Sequence, residues 1–198
     1  MNDFNKLKIW EISLLSALCI SLLAGTWAQA KQTDISSSLI RLHVIAVSDD
    51  EEEQAIKLRV RDEVLADISP ELEKAEDISD AQLIVRANLN KIKRAAEKAS
   101  EGRSVRVTLS EEYYPTRDYG SFSLPAGKYM SLRVILGEGR GHNWWCVVFP
   151  PLCVSAAEQK AALDAMSEDN RALLTEADGY VIKFRIIELW GEISEKFL

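Results

Sequence analysis

Cysteine and histidine are scarce in this chain, three and two among 198 residues, and what they fail to form is informative. There is no Cys-x-x-Cys pair and no His-Glu-x-x-His. A zinc site would have to be improvised from His43, His142, Cys146 and Cys153, which lack the usual ligand spacing, so no metal and no cofactor is expected. A Gly-x-Ser-x-Gly elbow and an Asp-Thr/Ser-Gly triplet are missing too, and with them the common hydrolase signatures. Gly137-x-Gly139-x-Gly141 has neither the Walker lysine nor a following amphipathic helix, and reads as a hairpin loop instead of a phosphate cradle. Positive charge is also short. The formal net charge is -7, and Met1 to Ala30 holds two residues of each sign, so the balance survives its removal. Such a chain is a poor partner for nucleic acid.

What is present concentrates in one stretch, Gly141-His142-Asn143-Trp144-Trp145-Cys146-Val147-Val148-Phe149-Pro150-Pro151-Leu152-Cys153. Trp145 to Phe149 is apolar and partly β-branched, as in a buried strand, and the proline pair should end it. Adjacent tryptophans on an extended chain point to opposite faces, so one can anchor a core while the other reaches a surface. Asn143, Trp144 and Trp145, with Arg140 and His43, are therefore the candidate partner-binding residues, and no residue is put forward as catalytic. Cys146 and Cys153 leave two readings open, a disulfide across the proline exit or two separate buried thiols.

The N-terminus has the form of an export signal. Lys6 and Lys8 precede an apolar run from Ile12 to Ala24, and Ala28-Gln29-Ala30 supplies small residues for cleavage after Ala30. The run is short and interrupted by Ser13, Ser16 and Ser21, unlike a membrane span of about twenty apolar residues, and retention as an uncleaved anchor is the alternative to cleavage. Cys19 follows the bulky Leu18, which does not suit lipidation. The expected organisation is a signal peptide over 1–30, a polar linker over 31–38 and one globular domain over 39–198, sized to bury its own core.

Along that domain, Leu39 to Val47 reads as a strand with Arg41 and His43 on one face and Ile40, Leu42 and Val44 on the other. Ser48 and Glu51 form a capping-box pattern, and Ile56, Val60 and Val64 mark a helix to about Ile68, with Pro70 beyond its end and Lys57 on an outer side. Ser79 or Asp80 caps a second helix to about Ser100, with Ile84, Ala87, Ile92, Ala95 and Ala99 along its stripe. Val105 to Leu109 and Tyr129 to Leu136 alternate as strands. Helices are expected from Ser155 to Met166 and from Tyr180 to Phe197, the β-branched start of the latter also fitting a strand. The fold class is α+β, an antiparallel sheet with packed amphipathic helices in a single domain.

Leu39-Ile-Arg-Leu-His-Val-Ile-Ala, Ser48-Asp49, Gln54-Ala55-x-Lys57-Leu58-x-Val60-Arg61-Asp62, the block Asn143 to Cys153 and Val181-x-Lys-Phe-Arg-Ile-Ile-Glu-Leu-Trp190 together resemble the stage II sporulation protein R family of endospore-forming bacteria. Val47 stands where the resemblance leads one to expect a polar residue. The resemblance implies a non-enzymatic signalling protein, secreted across the forespore membrane into the space between forespore and mother cell. Its implied partner is a membrane-embedded aspartic protease of the mother cell, which it activates to cleave the precursor of sigma factor E; no small-molecule substrate is implied. Two other readings follow from the residues. An exported hydrolase would use Cys146 with His142, which an extended chain holds roughly 13 Å apart. Alternatively, the paired tryptophans would settle in a membrane interface, with Arg140 as the sole basic flank.

Overall fold

The computed structural model describes residues 3–119 and 122–152, together with the single positions 163, 164, 166, 168, 171 and 174. The helices expected from Ser155 to Met166 and from Tyr180 to Phe197 fall largely or wholly outside them. The chain divides into a unit over 1–35 and a unit over 36–198.

The first unit is built on α1 (Asp3–Ser37). Trp10, Leu14, Leu18 and Leu23 of its apolar run are exposed, while Ile35 near its end is buried. Hydroxyls that would interrupt an apolar helix are turned back onto it: Ser21 Oγ donates to the Ala17 carbonyl at 2.8 Å and Thr26 Oγ1 to the Leu23 carbonyl at 3.0 Å. The helix runs on through the polar residues 31–37, where the sequence suggests a linker. Serine and threonine lower helix propensity without forbidding it, and no glycine or proline stands there to stop the run. Among the described residues no helix is long and apolar enough to cross a membrane.

In the second unit the elements follow as β1 (Ile40–Ile45), α2 (Glu51–Leu72), α3 (Ile78–Ala99), β2 (Val105–Tyr114), β3 (Arg117–Asp118), β4 (Ser123–Leu124), β5 (Gly127–Leu136) and β6 (Asn143–Phe149). The main sheet has the order β2-β5-β1-β6, and β3 pairs with β4 separately. The class is α+β as expected, but the sheet is mixed. β2–β5 and β1–β6 are antiparallel while β1–β5 is parallel. Parallel neighbours need a long crossover, and α2 with α3 and β2 supplies it.

The hairpin expected at Gly137 to Gly141 is absent for the same reason. β5 and β6 are not neighbours, since β1 lies between them, and the loop steps over the end of β1. That step requires its glycines. Gly137 and Gly139 have φ of +57° and +66°, and a Cβ on Gly141 would stand 2.2 Å from the Ser48 carbonyl oxygen. The Gly141 amide donates to the Ala46 carbonyl at 2.9 Å, fastening the crossing to the residue just past β1.

Both helices cover one face of the sheet. Ile56, Val60, Val64, Ile68 and Leu72 from α2 and Ala81, Val85, Ile92 and Ala96 from α3 close on Ile40, Leu42, Val44, Leu132, Val134 and Leu136. Each fully buried aliphatic side chain stabilises by about 1.5–3 kcal/mol. The α2 stripe is the expected one, yet the helix continues one turn further, with Pro70 inside it. Buried Leu72 holds that turn. The α2 N-cap is Asp50 rather than Ser48; Ser48 Oγ instead donates to the Asp50 carboxylate at 2.6 Å. Asp77 caps α3, accepting from the amides of Ser79 and Asp80 at 2.7 and 2.9 Å, so the cap precedes the expected residues. The α3 stripe runs through Ala81, Val85, Ile92 and Ala96 and leaves Ala87 exposed, because alanine occurs on several faces and small apolar residues mark the period poorly.

Gly141→Ala should destabilise the fold by at least about 2 kcal/mol, since the added methyl meets backbone that cannot swing aside. A fall in the denaturant midpoint at unchanged slope would register it, and an unchanged midpoint would show that the crossing loop is not tight.

Candidate functional site

The sheet face away from α2 and α3 is polar and aromatic. β1 is buried at every position, so Arg41 and His43, which do share a face as expected, are enclosed and not wet: Arg41 has no exposed surface and His43 retains 5%. The neighbouring strands supply their surroundings. Register places His43 beside Arg133 of β5 and Trp145 of β6, and Glu112 of β2 across from Tyr129 of β5. Period-two alternation then brings Glu112, Tyr114, Tyr129, Ser131, Arg133 and Trp145 to this side.

Glu112 is the hub. Both its oxygens lie 3.0 Å from His43 Nδ1, and Ser131 Oγ donates to it at 2.8 Å. That uses the one Ser131 hydroxyl proton, so at 2.6 Å the Tyr114 hydroxyl donates to Ser131 Oγ. Arg133 Nε is 3.2 Å from Glu112, close enough for an ion pair but without hydrogen-bond alignment. Burial pushes the Glu112 carboxyl up, yet the hydrogen bond and charge of His43, the Ser131 hydroxyl and Arg133 together outweigh it and hold the group below its ordinary 4.5. Burial drives the phenols of Tyr114 and Tyr129 strongly upward, which keeps both protonated.

Arg41 is caged by rings. Its guanidinium carbon lies 3.9, 4.9 and 5.9 Å from the ring centres of Tyr114, Tyr129 and Tyr119, and Nη2 donates to the Tyr119 hydroxyl at 2.6 Å. Tyr119 stacks on Phe122 across the β3–β4 pair, centres 4.8 Å apart. Arg117 of β3 covers the Trp145 ring at 3.7 Å, and Trp145 in turn lies 5.5 Å from the His43 ring.

The second cluster surrounds the crossing loop. The Asp49 carboxylate accepts from the His142 amide at 2.6 Å and pairs with its exposed ring Nδ1. Lys57 lies not on an outer side but buried, its Nζ donating to the His142 carbonyl at 3.0 Å and to Gln54 Oε1; burial lowers its pKa, the charge of Asp49 opposing and that of Arg61 adding. Gln54 Nε2 closes the set on the Ser48 carbonyl at 2.8 Å. Ser48, Asp49, Gln54 and Lys57, which mark the start of α2 in sequence, thus clamp residues 141–142.

The candidate partner-binding residues divide between these places. His43 and Trp145 belong to the polar face. Trp144 points to the opposite side, flanks the helix-covered core and lies under Arg61, whose guanidinium carbon is 4.4 Å from its ring. Neither tryptophan is fully exposed. Asn143 and Arg140 are exposed at the crossing, with Arg140 paired to Glu138 at 2.6 Å. The improvised zinc set is not gathered: His43 pairs with Glu112 and His142 with Asp49, and among the described residues no three His, Cys, Asp or Glu side chains converge as metal ligands. Cys146 is disulfide-bonded and Cys19 is free and exposed; Cys153 lies outside the described residues. A disulfide sulfur buried in β6 is no hydrolase nucleophile, so the Cys146–His142 reading loses its central atom.

Arg41, Glu112, Ser131 and the three caging tyrosines were not legible as a group. Their available signal was the recurrence of tyrosine at 114, 119 and 129 around a glutamate in an otherwise wet strand.

A carboxyl held below its unfolded value stabilises the fold above that value, and the contribution fades as pH falls through the folded pKa. Stability should therefore drop on acidification below about pH 4.5, and Glu112→Gln should flatten this part of the profile. Urea unfolding across pH 2.5–7 would decide it; parallel profiles for both proteins would remove Glu112 from the account.

The family model described as stage II sporulation protein R matches residues 36–159, a span that holds every strand of both sheets. The stage II sporulation protein R of Bacillus subtilis (strain 168) is 35% identical over 218 aligned positions, covering 96% of each chain. No solved structure matches. The matched span contains the crossing loop, its clamp and the buried Arg41–Glu112 face, and the chain belongs to the stage II sporulation protein R family, with a role in sporulation.

Proposed function

We propose that this chain is an exported signal of the developing spore. It is made in the forespore, crosses its membrane into the space before the mother cell, and there activates a membrane-embedded aspartic protease that cleaves the precursor of sigma factor E. Family membership carries this reading. The signal acts by contact and performs no catalysis of its own.

Two observations support export. The exposed apolar side chains of α1 and the small residues at Ala28 and Ala30 suit a translocation signal removed after Ala30. The disulfide at Cys146 suits an oxidising compartment outside the cytosol. Contact activation requires that the chain bind one state of the protease more tightly than the other. The exposed Asn143 and Arg140, held by a rigid crossing, offer such a contact; half-buried Trp144 and Trp145 stiffen the strand behind them and contribute their outer edges.

Purified chain added to vesicles carrying the protease and its substrate should start precursor cleavage. Arg140→Ala with Asn143→Ala should lower cleavage about tenfold or more, the size of a lost interface anchor, while leaving the unfolding midpoint in place. Absence of cleavage with the unmutated chain would overturn the contact mechanism. Turnover of a small substrate by the purified chain alone would return the question to hydrolysis.

A further inference from the structure

Arg41 is a fully enclosed cation on the central strand of a protein whose formal charge is -7. Burying a guanidinium is costly unless its charge and its donors are matched. The tyrosine rings offset part of that cost through their faces, and the Tyr119 hydroxyl accepts one hydrogen bond. Among the described residues Nε and Nη1 have no acceptor.

Arg41 is not isolated in this respect. Arg117 Nε and His43 Nε2 are buried without an acceptor among the described residues as well. The two guanidinium groups sense each other: burial lowers the Arg117 pKa, the Tyr119 hydroxyl opposes it, and the charge of Arg41 lowers it further. Glu112, the carboxylate bonded within this face among the described residues, already serves His43, Ser131 and Arg133. Asp118 beside Arg117 is exposed. Buried donors without acceptors are rare in native proteins, and among the described residues three of the four side chains that carry them on this face are joined through rings of Tyr114 and Trp145.

We propose that this face binds an oxyanion, a carboxylate or phosphate group, between Arg41 and Arg117 beneath the β3–β4 pair. The Tyr119 hydroxyl gives Arg41 a neutral acceptor; an oxyanion gives both guanidinium groups a charged one, through shorter and stronger hydrogen bonds. The Tyr119 hydroxyl, at the end of the β3–β4 pair, is the acceptor that the anion replaces at Arg41. Loss of the Tyr119 hydroxyl frees Nη2 for the anion. The inference stands apart from the signalling reading, since it concerns binding and not protease activation.

The test is calorimetric titration of the full-length chain in mild detergent with inorganic phosphate and, separately, with succinate, each against sodium chloride at equal ionic strength. At least one of the two should bind and raise the thermal midpoint beyond the chloride control. Response to phosphate alone assigns the site to phosphate groups, and response to succinate alone to carboxylates. Arg117→Gln should weaken binding about tenfold or more, the loss of one charge-assisted hydrogen bond. Tyr119→Phe should bind at least as tightly as the unmutated chain, and Arg94→Gln, on the exposed side of α3, should bind identically. Arg41→Gln is avoided because loss of the buried side chain threatens the fold itself. Equal behaviour of both anions and chloride, or an undiminished response in Arg117→Gln, would overturn the proposal.

Discussion

A strand hydrogen-bonded on both edges and buried on both faces leaves its side chains no solvent to retreat to, and β1 is such a strand. Its even-numbered residues are alkyl and meet the helices. Its odd-numbered pair, Arg41 and His43, is polar and had to be given partners inside the protein. The Glu112 hub, the tyrosine cage and the stacked Trp145–Arg117 pair answer part of that demand and leave Arg41 Nε and Nη1 and His43 Nε2 unmatched among the described residues. The demand itself arises from topology: β5 and β6 flank β1, and the chain that joins them must pass over its end.

The crossing links the two clusters into one mechanical unit. Gly139 and Gly141 admit the loop against Ile45, Ile135 and the Ser48 carbonyl, and Lys57, Gln54 and Asp49 hold it from α2. α2 therefore does two jobs along its length. Its first turns clamp the loop, and the stripe from Ile56 to Leu72 packs the sheet. A surface at Asn143 is consequently set by the core and by the clamp, which suits the contact proposed for it.

Much of the fold was legible in particular residues. Ile56, Val60 and Val64 announced α2 by their spacing, and the alternation of Ile40, Leu42 and Val44 announced β1 and its apolar face. The parallel seam was not legible, because local pattern reports which face is buried and says nothing about which strand lies alongside. Nor was the burial of Arg41, His43 and Lys57: charge at alternating positions reads as a wet face unless the partners are known, and those partners sit some seventy to ninety residues away along the chain. Trp144 and Trp145 were correctly placed on opposite faces, but the arginines over both rings belong to other elements.

The passage of the chain over β1 also governs the order in which the molecule can assemble. β1 is among the earliest parts of this unit to be synthesised, yet it finds its neighbours only at β5 and β6, roughly ninety residues or more later. Until both arrive it is a hydrophobic edge with nothing beside it, and the loop cannot be laid across its end before the strand on the near side is in place. High contact order of this kind makes for slow closure, with the helical pair α2–α3, whose contacts are local, available as the early scaffold on which the sheet is completed.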